Sequence, residues 1–353
     1  MTSQINSPDQ IKNVDYIIVG DGYGALFFAH QLIKNNKTFI LFSGGVKSAS
    51  HISAGIINPL VLKRFTRFWL AQEQLDALQK TLQEISIYTG KNYWINEPIH
   101  RILHEETERE VWAKKSMRAD LESFLHADFE SLEMVKNPFQ TGEVMQSGRL
   151  NVEDFFKDFF LYLLENNHLI EEFFKYEELD VERNIYQKFK FKNIVFAEGM
   201  AVKNNPFFNN IPLIPNKGHQ LNLKLSRSLE NKTFKKKYFL FPMSEDQYYY
   251  GGTHDRDHLE NEINENSVED LKSSLEDFYE HQYEITDVNF AFRPTVADRR
   301  PIIGRHEKHE DLYVFNGLGA RGILNGNFFA KDLFDFIEKD KPLLEEIDLK
   351  RFK

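Results

Sequence analysis

Tyr16-Ile17-Ile18-Val19-Gly20-Asp21-Gly22-Tyr23-Gly24-Ala25 runs from an apolar strand into the start of an apolar-periodic helix through a glycine turn. The helix continues through Leu26, Ala29, Leu32 and Ile33, stops at Asn35-Asn36, and is followed by a second strand, Thr38-Phe39-Ile40-Leu41-Phe42. This order reads as a βαβ unit with a dinucleotide cradle at its first turn. Gly20 permits the tight turn, and Gly22 removes the side chain that would block a pyrophosphate. Ala25 stands where the fingerprint accepts Gly or Ala for close helix–strand packing. The free N–H groups and partial positive charge of the helix N-terminus suit an anion without any cationic side chain.

Working outward, 353 residues suffice for two packed domains or one large one. Hydrophobic residues make up 41% and charged residues 28%, an ordinary globular balance, but 32 Phe predict a phenylalanine-rich core. A formal net charge of −10 argues against a broad nucleic-acid or anionic-membrane surface. Lys235-Lys236-Lys237 and the alternating Lys188, Lys190 and Lys192 read as solvated strand edges. With no cysteine, the chain has no disulfide, no thiolate metal site and no thioether link to a cofactor. Met1 to Asn13 lack the basic and apolar regions of a signal peptide, and no apolar run is long enough to span a membrane, so a cytoplasmic location is expected.

After Phe42 the simple alternation ends. Ser43 to Leu62 is a loop of small residues, which suits close backbone approach to a ligand. A long helix with Phe68, Leu75, Leu78, Leu82 and Ile85 on one face ends at Gly90. Tyr93 to Glu143 reads as an inserted layer of short elements, and Asn151 as the N-cap of a helix to about Glu165. Short strands are expected at 170–174, 188–191 and 194–197. Further strands are expected at 220–225, 237–241 and 247–251, with a helix near 268–279. Leu312 to Phe315 is a strand, 316–322 a glycine turn and Ile323 to Ile337 a helix with Leu324, Phe328, Leu333 and Phe336 available to the core. The fold class is α/β: a Rossmann-like nucleotide-binding domain interleaved with a domain of mainly antiparallel β-sheet plus helix. Residues 14–60, 145–210 and 293–340 form the first and residues 61–144 and 211–292 the second.

Seven segments in order carry a resemblance. They are Ile17 to Ala25, Ala49 to Gly55, Val195-Phe196-Ala197-Glu198-Gly199, Lys217-Gly218-His219-Gln220, Tyr249 to Thr253, Arg293 to Gly304, and Gly317 to Leu324. Together they resemble the D-amino-acid-oxidase-like superfamily of FAD-dependent oxidoreductases, near glycine oxidase and the flavin domain of the bifunctional enzyme that modifies wobble uridine in tRNA. The resemblance implies noncovalent FAD. Its binding residues would be Gly20, Gly22, Tyr23, Gly24, Ala25, Ser43, Ser50, Ala54, Gly55, Ala197, Gly199, Gly319, Arg321, Gly322, Ile323 and Leu324. The helix N-terminus at Ile323 would offer backbone donors to negative charge developing on the flavin. One departure stands out: the end of the second strand usually carries a carboxylate for the adenosine ribose, and here it carries Ser43, with no Asp or Glu between Asp21 and Glu73. His51 lies near the site where some relatives link flavin through histidine, but its spacing from Gly55 differs by one.

The resemblance also implies oxidation of a C–N bond in a small amino acid or secondary amine by hydride transfer to flavin. Arg293 matches the arginine that grips a substrate carboxylate, for which a guanidinium fork is suited; a structural ion pair with Asp298 is the alternative. Phe239 stands where a substrate-facing tyrosine is common. His254 faces the substrate in relatives and would hold an acidic group or take the amine proton, or else is a solvated histidine beside Asp255 and Asp257. Arg321 adds a second cation near the substrate or anchors its turn. No trusted metal-ligand spacing and no serine nucleophile motif occurs. Two other functions stay open: a tRNA wobble-uridine-modifying flavoenzyme, and a flavin-binding protein with a degraded pocket.

Overall fold

Phe39-Ile40-Leu41-Phe42 is buried at every position, as a strand covered on both faces must be. In the computed structural model, which describes residues 11–352, it pairs in parallel with Lys12–Val19. That strand pairs in parallel with Phe189–Phe196, which continues in parallel to Leu312–Asn316. Leu169–Ile170 extends the sheet beyond Phe39–Phe42, and Ile302–Arg305 closes the other side antiparallel to Leu312–Asn316. The first ten residues of the Met1 to Asn13 segment lie outside the described residues. Among the described residues, no helix is long and apolar enough to cross a membrane.

This sheet belongs to one compact unit, Met1–Lys47, Asp158–Ile214 and Pro294–Lys353. Its core is aromatic: Phe42 meets Phe174, Tyr186 and Phe189 edge-on at centroid separations of 5.8, 5.1 and 6.3 Å. Two helices, α1 (Tyr23–Lys34) and α6 (Gly322–Lys339), lie against each other. Their approach needs glycine, because a β-carbon on Gly322 would come within 3.0 Å of the Tyr23 ring. In α6, Phe329 and Phe334 are buried, whereas Phe328 and Phe336 are only partly so, a shift of the expected apolar face.

The second unit is Ser48–Lys157 and Pro215–Arg293. Its main sheet orders Tyr283–Thr295, Ile214–Leu225, Tyr248–Gly251, Phe239–Pro242, Thr233–Lys235, Ile99–Ile102, Thr141–Val144 and Leu125–Glu130. Thr233–Lys235 and Ile99–Ile102 run parallel within this mainly antiparallel sheet. Leu221, Leu223, Leu240, Tyr248 and Tyr250 share a core with Leu271 and Leu275 of α5 (Glu265–Glu276). Side chains alternate along a strand, so Tyr249 and Gly251 point to the face away from α5. Asn151 caps the helix Val152–Glu165, its Oδ1 accepting from the Asp154 N–H at 3.3 Å.

Several local expectations need correction. The lysine-rich segments are not at sheet edges: Thr233–Lys235 has a strand on each side, and Lys188 to Lys192 borders or lies on an internal strand whose lysines face solvent. The two short strands expected at 188–197 are one, Phe189–Phe196, which pairs along its length with Lys12–Val19. The long helix is Ala71–Thr89, starting after Phe68 because Leu70 has φ +52, and it ends at Gly90 with φ +76 as its glycine requires. Ser43 to Leu62 contains the short strands Ile56–Ile57 and Leu60–Val61. The segment from Tyr93 to Glu143 contributes strands to the main sheet of the second unit, so it is no separate layer.

Candidate functional site

In the first unit the glycine turn follows Lys12–Val19 directly. Gly20 has φ +112, and a β-carbon there would stand 2.4 Å from the Ala197 carbonyl oxygen, so no other residue fits. Gly22 is the N-cap of α1, and no acidic residue occupies the helix's first turn. The free N–H groups at the start of α1 fit a pyrophosphate, with Asp21 the one acid in the glycine turn beside them. Tyr23 and Ala25 are buried, Tyr23 stacking on Phe27 at 6.1 Å, so their side chains serve packing.

The end of the second strand holds a carboxylate after all. Ser43 Oγ donates to Asp21 Oδ2 at 2.6 Å and accepts from the Gly45 N–H at 3.2 Å. The acid was missed because it comes from the first turn, not from the residues after the second strand. Its one sequence signal is an acidic residue between the first two glycines of the fingerprint, where an anion site would not by itself call for one.

Ala197, Gly199, Gly319, Arg321, Gly322, Ile323 and Leu324 lie in this same unit. Gly199 (φ +54) accepts at its carbonyl from Asn316 Nδ2 at 2.9 Å, and Asn316 Oδ1 accepts from the Gly317 N–H at 2.8 Å, which fixes the turn before α6. Ile323 and Leu324 are buried at the start of α6, so only their backbone N–H groups are available to a ligand. Arg321 is half-buried, and burial followed by the neighbouring Arg299 charge lowers its guanidinium to about 10. Beside Gly199, burial pushes the Glu198 carboxyl up to about 7, although Tyr176 and Asn205 donate hydrogen bonds to it.

Ser50, Ala54 and Gly55 belong to the second unit, as do Arg293 and His254. Gly55 has φ +67, and a β-carbon on it would meet the Leu150 carbonyl oxygen at 2.3 Å. His51 packs on Phe156 at 4.3 Å, with Nδ1 within 3.0 Å of the Ser48 hydroxyl.

Arg293 is the centre of a polar cluster. Its Nη1 donates to Thr253 O at 2.9 Å and to Asn216 Oδ1 at 3.1 Å. The ion pair with Asp298 does not form: Asp298 accepts instead from Arg351 Nε at 2.8 Å. Burial lowers the Arg293 guanidinium, and no described carboxylate opposes that effect. Gly218 makes room for it, since a β-carbon there would be 2.2 Å from Nη2. His254 is exposed, with Nδ1 3.0 Å from Asn216 Oδ1, while Asp255 pairs with His258 at 3.1 Å. Asn216 thereby holds both Arg293 and His254, a role invisible in sequence because nothing in the chain's order links positions 216, 254 and 293. Phe239 lies opposite Gly251 in the ladder, and Phe241 opposite Tyr249.

A parallel sheet with a glycine turn and helix N-terminus at the end of its first strand is the fold of a dinucleotide-binding domain. The family model of FAD-dependent oxidoreductases named DAO matches residues 15–335. The chain belongs to this family, and FAD is its cofactor. Among solved structures, glycine oxidase from Geobacillus kaustophilus is 18% identical with a TM-score of 0.77, over 97% of this chain and 98% of that one. L-amino acid deaminase from Proteus vulgaris, lacking its specific insertion, is 14% identical with a TM-score of 0.76, over 98% and 96%. Iminodiacetate oxidase from Chelativorans sp. BNC1 is 14% identical with a TM-score of 0.75, over 96% and 98%. At these identities the likeness is one of fold.

Proposed function

We propose that this oxidoreductase oxidises the C–N bond of a small amino acid or secondary amine that carries a carboxylate. The observation that carries the reading is Arg293, a half-buried guanidinium whose described oxygen partners, Thr253 O and Asn216 Oδ1, are both uncharged. A buried charge is expensive without an opposite one, and a substrate carboxylate would supply it. FAD, when bound noncovalently, would supply the hydride acceptor.

The geometry supports the remaining assignments. Gly20, Gly22 and the N-terminus of α1 bind the pyrophosphate, and Asp21 with Ser43 accepts the adenosine ribose hydroxyls. The N–H groups of Ile323 and Leu324, at the start of α6, would offer donors to a bound flavin. Arg293 orients the substrate, and His254, held through Nδ1 by Asn216, takes the amine proton at Nε2. Anaerobic bleaching of the flavin across a panel of amino acids and N-methylated amines tests the proposal. Reduction by carboxylated amines and not by their decarboxylated counterparts is expected. A flavin that no amine bleaches would favour a protein with a degraded pocket.

A further inference from the structure

On the face of the second unit's sheet that α5 leaves uncovered, Tyr249 is 5% exposed. Its ring is fixed: it stacks on Phe241 at 4.7 Å and 11°, and Arg149 covers the Phe241 ring at 4.2 Å. Its hydroxyl makes no hydrogen bond to a described residue. Burial pushes the phenol up to about 12, with the Arg293 charge working against that rise.

The hydroxyl and Arg293 converge on one place. A β-carbon at Gly252 would stand 2.8 Å from Arg293 Nη2 and 3.4 Å from the Tyr249 hydroxyl oxygen, and one at Gly251 would stand 3.0 Å from that oxygen. Two glycines in succession therefore keep side chains away from a spot lined by a guanidinium without an acid and a phenol without an acceptor. Phe239, opposite Gly251, adds no polar group there. Both donors lack the same thing, an anionic oxygen.

We propose that Tyr249 is a substrate-binding residue, donating its phenolic proton to the carboxylate held by Arg293. This rests on the carboxylated-amine reading above and deepens it. A point charge alone would accept any anion, but a guanidinium edge plus one directional hydroxyl selects a planar carboxylate.

The test is titration of the FAD-loaded protein with glycolate, read by the flavin absorbance change, for wild type, Tyr249→Phe and Arg293→Ala. Glycolate affinity is expected to fall about tenfold to a hundredfold in Tyr249→Phe. KM for the best carboxylated amine should rise in parallel, with kcat within about twofold and unchanged FAD content and melting temperature. Should Tyr249→Phe fail to load FAD, Tyr249→3-fluorotyrosine keeps the ring's shape, makes the hydroxyl a stronger donor, and should tighten glycolate binding. Unchanged glycolate affinity in a loaded Tyr249→Phe, with loss in Arg293→Ala, overturns the Tyr249 assignment alone. Indifference to glycolate in wild type, or full affinity in Arg293→Ala, overturns the carboxylate reading and this assignment with it.

Discussion

Ser43 Oγ lies 2.6 Å from Asp21 Oδ2, so a hydrogen bond ties the glycine turn after the first strand to the end of the second. An acid in a turn built for phosphate is electrostatically out of place unless its charge is drawn aside, and Ser43 draws it to where an adenosine ribose would present its hydroxyls. Ser43→Ala keeps the carboxylate but releases its tether, whereas Asp21→Ala removes it. The dissociation constant for FAD should rise only a few-fold in Ser43→Ala and about tenfold further in Asp21→Ala, since a charge-assisted hydrogen bond is the stronger. Equilibrium flavin-fluorescence titration of the apoprotein measures both.

Gly20 and Gly22 should respond differently to valine. At Gly20 the φ of +112 and the Ala197 carbonyl at 2.4 Å oppose any side chain, so Gly20→Val loses fold stability as well as FAD. Gly22 has φ −82, which valine tolerates, so Gly22→Val should fold with a near-normal far-ultraviolet spectrum and retain almost no FAD. Flavin content equal to wild type in Gly22→Val would remove the cradle assignment. Acid precipitation of the wild type should release intact FAD; flavin left in the pellet would point to His51.

Arg293→Ala should keep FAD and its melting temperature while flavin reduction by the best carboxylated amine falls about two to three orders of magnitude, the usual loss for a buried charge-pair partner. Arg293→Lys restores charge without the fork and recovers part of the rate. Because Asp298 pairs with Arg351, loss of Arg293 breaks no internal ion pair, and a protein that unfolds on Arg293→Ala would argue for a structural role.

Gly218→Ala tests the same site from the backbone side. Its β-carbon would stand 2.2 Å from Arg293 Nη2 and must displace the guanidinium. Stopped-flow reduction should slow at least tenfold, with FAD content unchanged. A normal rate would mean that Arg293 moves without consequence.

Glu198 supplies a pH signature. Burial raises its carboxyl from 4.5 to about 7, so between these values the folded chain holds a proton that the unfolded chain has released. Its contribution to stability is therefore full below pH 4.5 and is lost as pH rises through about 7, by at most about 3 kcal/mol. His100 and His219, lowered by burial to about 4, give the opposite slope below 6.5, so the difference between proteins isolates Glu198. Denaturant melts should show wild type losing more stability than Glu198→Gln between pH 5 and 7.

The fold was legible in sequence wherever one local rule governed a whole element. The glycine turn between Val19 and Ala25, the apolar run Phe39 to Phe42, Asn151 as a cap and Gly90 as a stop each follow from backbone sterics or unbroken burial, which act over a few residues. The family was legible because seven such segments recur in order. What the chain's order could not decide was which polar groups meet. Asp21 reaches Ser43 across 22 positions, Asn216 reaches Arg293 across 77, and Asp298 chooses Arg351 over its neighbour five residues away. Lys235, in a run that reads as a solvated edge, lies in a strand with partners on both sides. These pairings are set by strand order and register, which bring distant side chains within 3 Å or so, and hydrogen bonds and ion pairs depend on that distance and not on separation along the chain.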